Sequence, residues 1–192
     1  MFTNRGVNSW KPLLMAALVV AISTILQVDV ARAASASDIN SKVNTALRTL
    51  YAKQPGAKAL ADKAKGILVF PDIVKGGFIV AGQFGDGALR KAGKTAGYYR
   101  SLAASVGFQA GAQSYGYVLF FMDDDSLTYL DRSDGWEVGT GPTLVVLDKG
   151  FGKNFSTTTL KKGVYAFIFN QKGLMGGVGI QGSKITKINP DK

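Results

Sequence analysis

The spacing of apolar residues changes once along this chain. Ile39, Val43, Ala46, Leu47, Leu50 and Tyr51 recur at i, i+4, i+7, i+8, i+11 and i+12, one apolar stripe of an α-helix. Ser37 or Asp38 stands where an N-terminal cap is needed, and Pro55 stops this helix and opens a second. Ala57, Leu60, Ala61 and Ala64 form the second stripe, with Gly66 as its C-terminal cap. From Ile67 onward the helical period is gone. Short runs rich in Val, Ile, Phe and Tyr follow at 67–70, 78–84, 104–113, 115–122, 126–130, 143–147, 164–169 and 184–188. Of the 24 glycines, 22 fall between residues 66 and 182, where they separate these runs. Glycine weakens a strand unless a bend or close backbone approach requires it, so a strongly curved sheet is expected. The unbroken apolar run 117–122 reads as a central strand, and Asp123-Asp124-Asp125 as the hairpin turn after it. The expected class is α+β, with N-terminal helices packed on a curved, mainly antiparallel, Gly-rich β-sheet.

One segment occurs twice. Residues 65–85 (KGILVFPDIVKGGFIVAGQFG) and 162–182 (KGVYAFIFNQKGLMGGVGIQG) match at an offset of 97 positions. The matches are Lys65-Gly66 with Lys162-Gly163, Phe70 with Phe167, Lys75-Gly76 with Lys172-Gly173, Gly82 with Gly179, and Gly85 with Gly182. Each copy reads as an apolar strand, a Lys-Gly turn and a glycine-interrupted second run. A single near-repeat at this distance predicts one fold with two quasi-repeated halves, because a solenoid needs shorter periods and more copies. Chance likeness between two Gly-rich hairpins is the competing explanation.

Residues 1–33 carry a different signal. Arg5 and Lys11 precede an apolar run from Leu13 to Leu26, and Ala31-Arg32-Ala33 supplies a small-x-small cleavage pattern. At 14 residues the run is shorter than the roughly 20 that a spanning helix needs. A secretory signal peptide is therefore expected, cleaved after Ala33 or Ala36. Residues 34–192 are expected to form a single exported domain, periplasmic or secreted, with no transmembrane segment. The chain has no cysteine and no histidine. That removes disulfides, the usual zinc, haem and iron–sulfur ligands, and Ser-His-Asp or Cys-His catalysis. No cofactor and no metal are expected.

Charge narrows the remaining classes. The net charge is +10 overall and is unevenly spread. Residues 40–100 carry +8 and 149–192 carry +7, whereas 101–148 carry −6. The two basic blocks hold the two repeat copies, so copies lying side by side would share one positive surface. Such a surface attracts polyanions, and for an exported chain phospholipid headgroups are nearer than nucleic acid. Arg90, Lys91, Lys94 and Arg100 sit in the Gly-rich stretch 85–100, read as an exposed loop that could clamp a phosphate. Lys75 and Lys172 occupy equivalent turns and could bracket one anionic ligand, with Lys161 and Lys162 beside the second. For each of these cations, a solvated turn serving only solubility is the competing role. The helix 38–53 could enter a membrane interface, but a stripe of this kind more often packs on a sheet. The spacing of Asp123, Asp124, Asp125, Asp131, Asp134 and Glu137 fails the calcium-loop pattern, which leaves them as turn formers. Glu137, the only glutamate, is the sole anchor for a carboxylate-based hydrolase.

Three stretches resemble one known family. KGILVFPDIVKGGFIVAGQFGDGAL (65–89), YYRSLAASVGFQAGAQSYGYVLFFMD (98–123) and QKGLMGGVGIQGSKI (171–185) are together similar to the SYLF lipid-binding domain, over roughly residues 40–188. Gln181 departs from the glutamate that the family generally carries, and Trp136-Glu137-Val138-Gly139 replaces a more common Gly-Gly run. The resemblance implies non-catalytic binding of anionic lipids, with phosphoinositide-like headgroups, through basic surface residues and an amphipathic N-terminal helix. Actin binding, known in fungal relatives, does not carry over to an exported chain. An envelope protein that binds a protein or anionic glycan is the alternative function.

Overall fold

The computed structural model describes residues 34–106, 111–132, 135–147, 162–173, 180 and 182–191. The expected signal segment, Lys161, Asp134 and most of the second run of the second repeat copy (174–179 and 181) lie outside the described residues. All described elements and both core clusters fall within Ala34–Lys192, a compact unit.

Among the described residues two helices come first, α1 (Ala36–Lys53) and α2 (Pro55–Ala61). Ser35, two residues earlier than expected, caps α1. Its hydroxyl accepts from the Asp38 N–H at 3.2 Å and donates to the Asp38 carboxylate at 2.7 Å. Pro55 opens α2, where the missing N–H costs nothing. Gly66 does not cap that helix; the chain turns at Asp62–Lys63 and Gly66 begins the first strand.

Among the described residues the sheet has eight strands: β1 (Gly66–Gly77), β2 (Val80–Lys91), β3 (Lys94–Val106), β4 (Gly111–Phe121), β5 (Trp136–Glu137), β6 (Leu144–Leu147), β7 (Val164–Gly173) and β8 (Lys184–Ile188). Their order is β5-β8-β3-β2-β1-β4-β7-β6, antiparallel throughout except for the β6–β7 pair. The two repeat copies flank β4. Gly66 and Val164 both pair with Phe121, and Val69 and Phe167 both pair with Val118. The copies therefore run parallel to one another, one residue out of register.

Residues alternate between two buried faces. The inner face gathers Leu68, Phe70, Ile73, Tyr115, Tyr117, Leu119, Phe121 and Trp136. The outer face presents Val69, Ala88, Val118, Phe120 and Phe167 to Ile39, Val43, Ala46 and Leu50 of α1. Each such full burial contributes about 1.5–3 kcal/mol. The helical stripe thus packs on the sheet. Curvature centres on Pro71, where β1 bulges between Phe70 and Ile73. Glycines stand on both neighbouring strands at that point. A Cβ on Gly87 of β2 would lie 2.1 Å from the Val69 carbonyl, and one on Gly116 of β4 would lie 2.7 Å from the Pro71 carbonyl.

Several expectations change. Residues 126–130 are not a strand, and the three aspartates are not a hairpin turn: Asp124–Arg132 form a helix, α3. Asp124 and Asp125 occupy its first turn, where negative charge suits the helix dipole. Leu127 and Leu130, at helical spacing, bury against the inner cluster. The run 104–113 spans the end of β3 and the start of β4. Lys75-Gly76 and Lys172-Gly173 lie within strands, and the first hairpin turns three residues later, at Phe78 and Ile79. The stretch 85–100 is not a loop but most of the β2–β3 hairpin, turned at Ala92-Gly93. Both of those residues have positive φ, 48° and 76°, as a two-residue hairpin loop requires.

Candidate functional site

The sequence-predicted cations do not form one cluster. Arg90 lies on β2 facing α1, where its guanidinium donates to the Asn44 side chain at 2.8 Å, to the Asn40 carbonyl at 3.5 Å and to the Thr95 hydroxyl. Burial lowers its pKa, with Tyr98 opposing the shift. Arg90 is a strut between helix and hairpin. Lys91, its neighbour, points to the other face and meets Asp131 of α3 at 3.4 Å. Asp131 also accepts from the Tyr99 hydroxyl at 3.0 Å; burial and this bond push the Tyr99 pKa well up. Lys94 stands directly across the hairpin from Lys91 and is exposed.

Arg100 is also engaged. It bonds both oxygens of Asp86 at 2.7 and 2.9 Å, and its guanidinium lies 4.9 Å over the Phe84 ring. The bond to Asp86 holds its pKa up against partial burial. The expected four-cation clamp therefore does not assemble: the terminal nitrogens of Arg90 and the guanidinium of Arg100 bond within the fold, while Lys91 and Lys94 stand together at the surface.

Lys75 and Lys172 are not symmetric donors. Lys75 pairs with Gln113 of β4, whereas Lys172 pairs with the next residue, Ser114. One residue of register moves a side chain to the opposite face. Lys75 joins the inner face beside the buried amides of Gln83 and Gln113, and Lys172 joins the outer face. They cannot bracket one ligand, but both stand at the same end of the sheet. Lys162 lies at the other end, beside Asp123.

The acidic block is structural at the same end as Lys162. Asp123 accepts from the N–H of Ser126 at 2.7 Å and of Gly163 at 2.5 Å, Asp124 pairs with Lys65 at 3.9 Å, and Asp131 pairs with Lys91. Among the described residues no group of carboxylates is placed to hold a metal ion. Glu137 is exposed on β5 opposite Lys184, with no carboxylate partner for paired-acid chemistry in its own pairing. Sequence reasoning missed a further feature. Among the described residues, seven large apolar side chains, including Val74, Phe78, Val80 and Phe84, are exposed at the end that carries Lys75 and Lys172. The signal is present in Gly-Gly-Phe-Ile-Val, where a turn and the run 78–84 are expected.

No helix among the described residues is long and apolar enough to cross a membrane. The architecture is an α+β domain whose helices back a curved antiparallel sheet. Residues 102–190 match the family described as Ysc84, Las17-binding protein actin regulator. The chain is also similar to beta cell expansion factor A of Aeromonas veronii, 32% identical over 150 residues, covering 76% of this chain and 54% of that protein. The chain thus spans about half the length of that curated relative. The fold, the motifs and these two matches agree in the resemblance of this chain to the SYLF domain family.

Proposed function

We propose that residues 34–192 form a non-catalytic, peripheral binder of anionic phospholipid surfaces, acting after export of the chain. The observation that carries this reading is the unequal use of charge at the two ends of the sheet. At the end with α3, lysines 65, 91 and 162 face Asp124, Asp131 and Asp123. At the opposite end, Lys75 and Lys172 have no carboxylate partner among the described residues. A cation near an anionic membrane contributes about 1 kcal/mol. Two such lysines support weak, salt-sensitive adsorption. The resemblance to the SYLF domain family supports the same reading.

Flotation of the 34–192 chain with neutral and with anionic vesicles, at low and high salt, tests it. Binding confined to anionic vesicles and lost in salt is expected. Failure to bind either vesicle overturns the reading and moves a protein or glycan partner to first place.

A further inference from the structure

The end of the sheet that carries Lys75 and Lys172 is also where apolar surface is left open. Beyond Val74 the outer face leaves the shelter of α1, and β1 changes from buried on both faces to open. One cross-strand row there runs Lys172–Ser114–Val74–Phe84–Leu102–Lys184. Its centre is apolar and its two ends are cationic, with Glu137 beside Lys184. The next row, Ala112–Gly76–Gly82–Ala104, has almost no side chains. Past it stands the tip: Phe78 is 70% exposed, Val80 62% and its cross-strand partner Val106 80%. Contiguous apolar surface of this kind on a soluble domain marks an interaction site.

The tip is also strained in a way its side chains explain. Gly77 and Ala81 pair across a three-residue connection, and Ile79 within it has φ 51°. That left-handed region suits glycine or asparagine and is a true outlier for a β-branched residue. The chain therefore keeps a large apolar side chain where the backbone favours a small or polar one. Such strain is held where a side chain is needed for something other than folding.

We propose that this hairpin tip is a membrane wedge: Phe78, Ile79 and Val80, with Val106, enter the acyl region of an anionic bilayer while Lys75 and Lys172 remain at headgroup level. The proposal rests on the lipid-binding reading above and adds to it the depth and the residues of insertion. Two features select a bilayer over a protein partner. β1 and β2 are each paired on both sides, so neither presents a free edge for strand addition. Cations border the apolar centre, the arrangement that interfacial anchoring uses.

The test uses the 34–192 chain and vesicles of phosphatidylcholine with phosphatidylglycerol. Phe78→Trp is read for quenching by brominated acyl chains against the unchanged chain, whose own Trp136 is buried. Quenching of the new tryptophan is expected, together with a loss on the order of tenfold per side chain in vesicle affinity for Phe78→Ser with Val80→Ser. If the chain binds anionic vesicles but the tryptophan is not quenched and the double variant binds unchanged, the wedge is overturned and surface adsorption stands. If the unchanged chain binds no vesicle, the lipid reading and the wedge fall together. The Phe78→Trp arm decides the matter even if the double variant misfolds, and light scattering identifies tip-to-tip association, which would also overturn the wedge.

Discussion

Asp123 and Gly163 are joined by a 2.5 Å hydrogen bond from the glycine N–H to the carboxylate. The same carboxylate takes the Ser126 N–H at 2.7 Å, so one side chain starts α3 and fastens the entry to β7. Desolvation works against its charge, but the bonds from Ser126 and Gly163 outweigh that and lower its pKa below the ordinary 3.8. A carboxylate with a depressed folded pKa contributes stability above its unfolded value, and that stability is lost as pH falls through the folded value. Asp123→Ala should cost about 1–2 kcal/mol at neutral pH. Urea unfolding across pH should show the difference from the unchanged chain closing below pH 3.8; a constant difference would refute the assignment.

Arg90 behaves as a packing residue. Arg90→Ala should lower stability by about 1–3 kcal/mol, since it strands the groups around Asn40, Asn44 and Thr95. Vesicle affinity at fixed salt should change no more than for any single surface charge. A large affinity loss without destabilisation would restore the headgroup role that the sequence suggested.

Asp86 lies opposite Arg100 and is the more enclosed of the two, its side chain only 7% exposed. Asp86→Asn keeps the shape and removes the charge, and should cost about 1–3 kcal/mol in thermal or urea unfolding. Freed from its partner, Arg100 should also stack less regularly on Phe84. Unchanged stability in the variant would mean that the pair is solvated in practice.

Gly87→Ala should be among the most damaging small changes in the sheet. The added methyl would meet the Val69 carbonyl at 2.1 Å, and the Val69 backbone and the buried Phe70 ring leave it nowhere to go. A loss on the order of 2 kcal/mol or more is expected. Gly82→Ala, with nothing within 4 Å of the new atom, is the control and should be near neutral.

Ile79→Gly should raise stability by about 1 kcal/mol, because it releases the left-handed strain. The same variant should bind anionic vesicles less well if the tip inserts. Opposite signs in melting and flotation separate a strained functional residue from a merely tolerated one.

Much of this was legible in the chain. The period of Ile39, Val43, Ala46 and Leu50 predicted α1 and its buried face, because an isolated stripe has only one way to be covered. The curved sheet followed from glycines among β-branched residues, and the repeat from Lys-Gly matches that do flank a common strand. The errors came where local pattern was ambiguous. Ser126 to Asp131 alternates loosely enough to pass as a strand, and only the capping bonds of Asp123 make it a helix. The basic stretch 85–100 looked like a loop because its glycines were read as flexibility, whereas Gly85 and Gly87 admit the bulge of β1. The faces of Lys75 and Lys172 depend on a one-residue register shift that no composition reveals.

The place of β4 between the two copies bears on how the chain is made. Tyr117 pairs on one side with Phe70 and on the other with Ile168, partners roughly fifty residues earlier and later. Half of its ladder is therefore missing until β7 has been synthesised. Until then an unbroken apolar strand has one bare edge, so nascent chains should depend on a chaperone at this segment, and truncation before β7 should yield aggregates in place of a smaller domain.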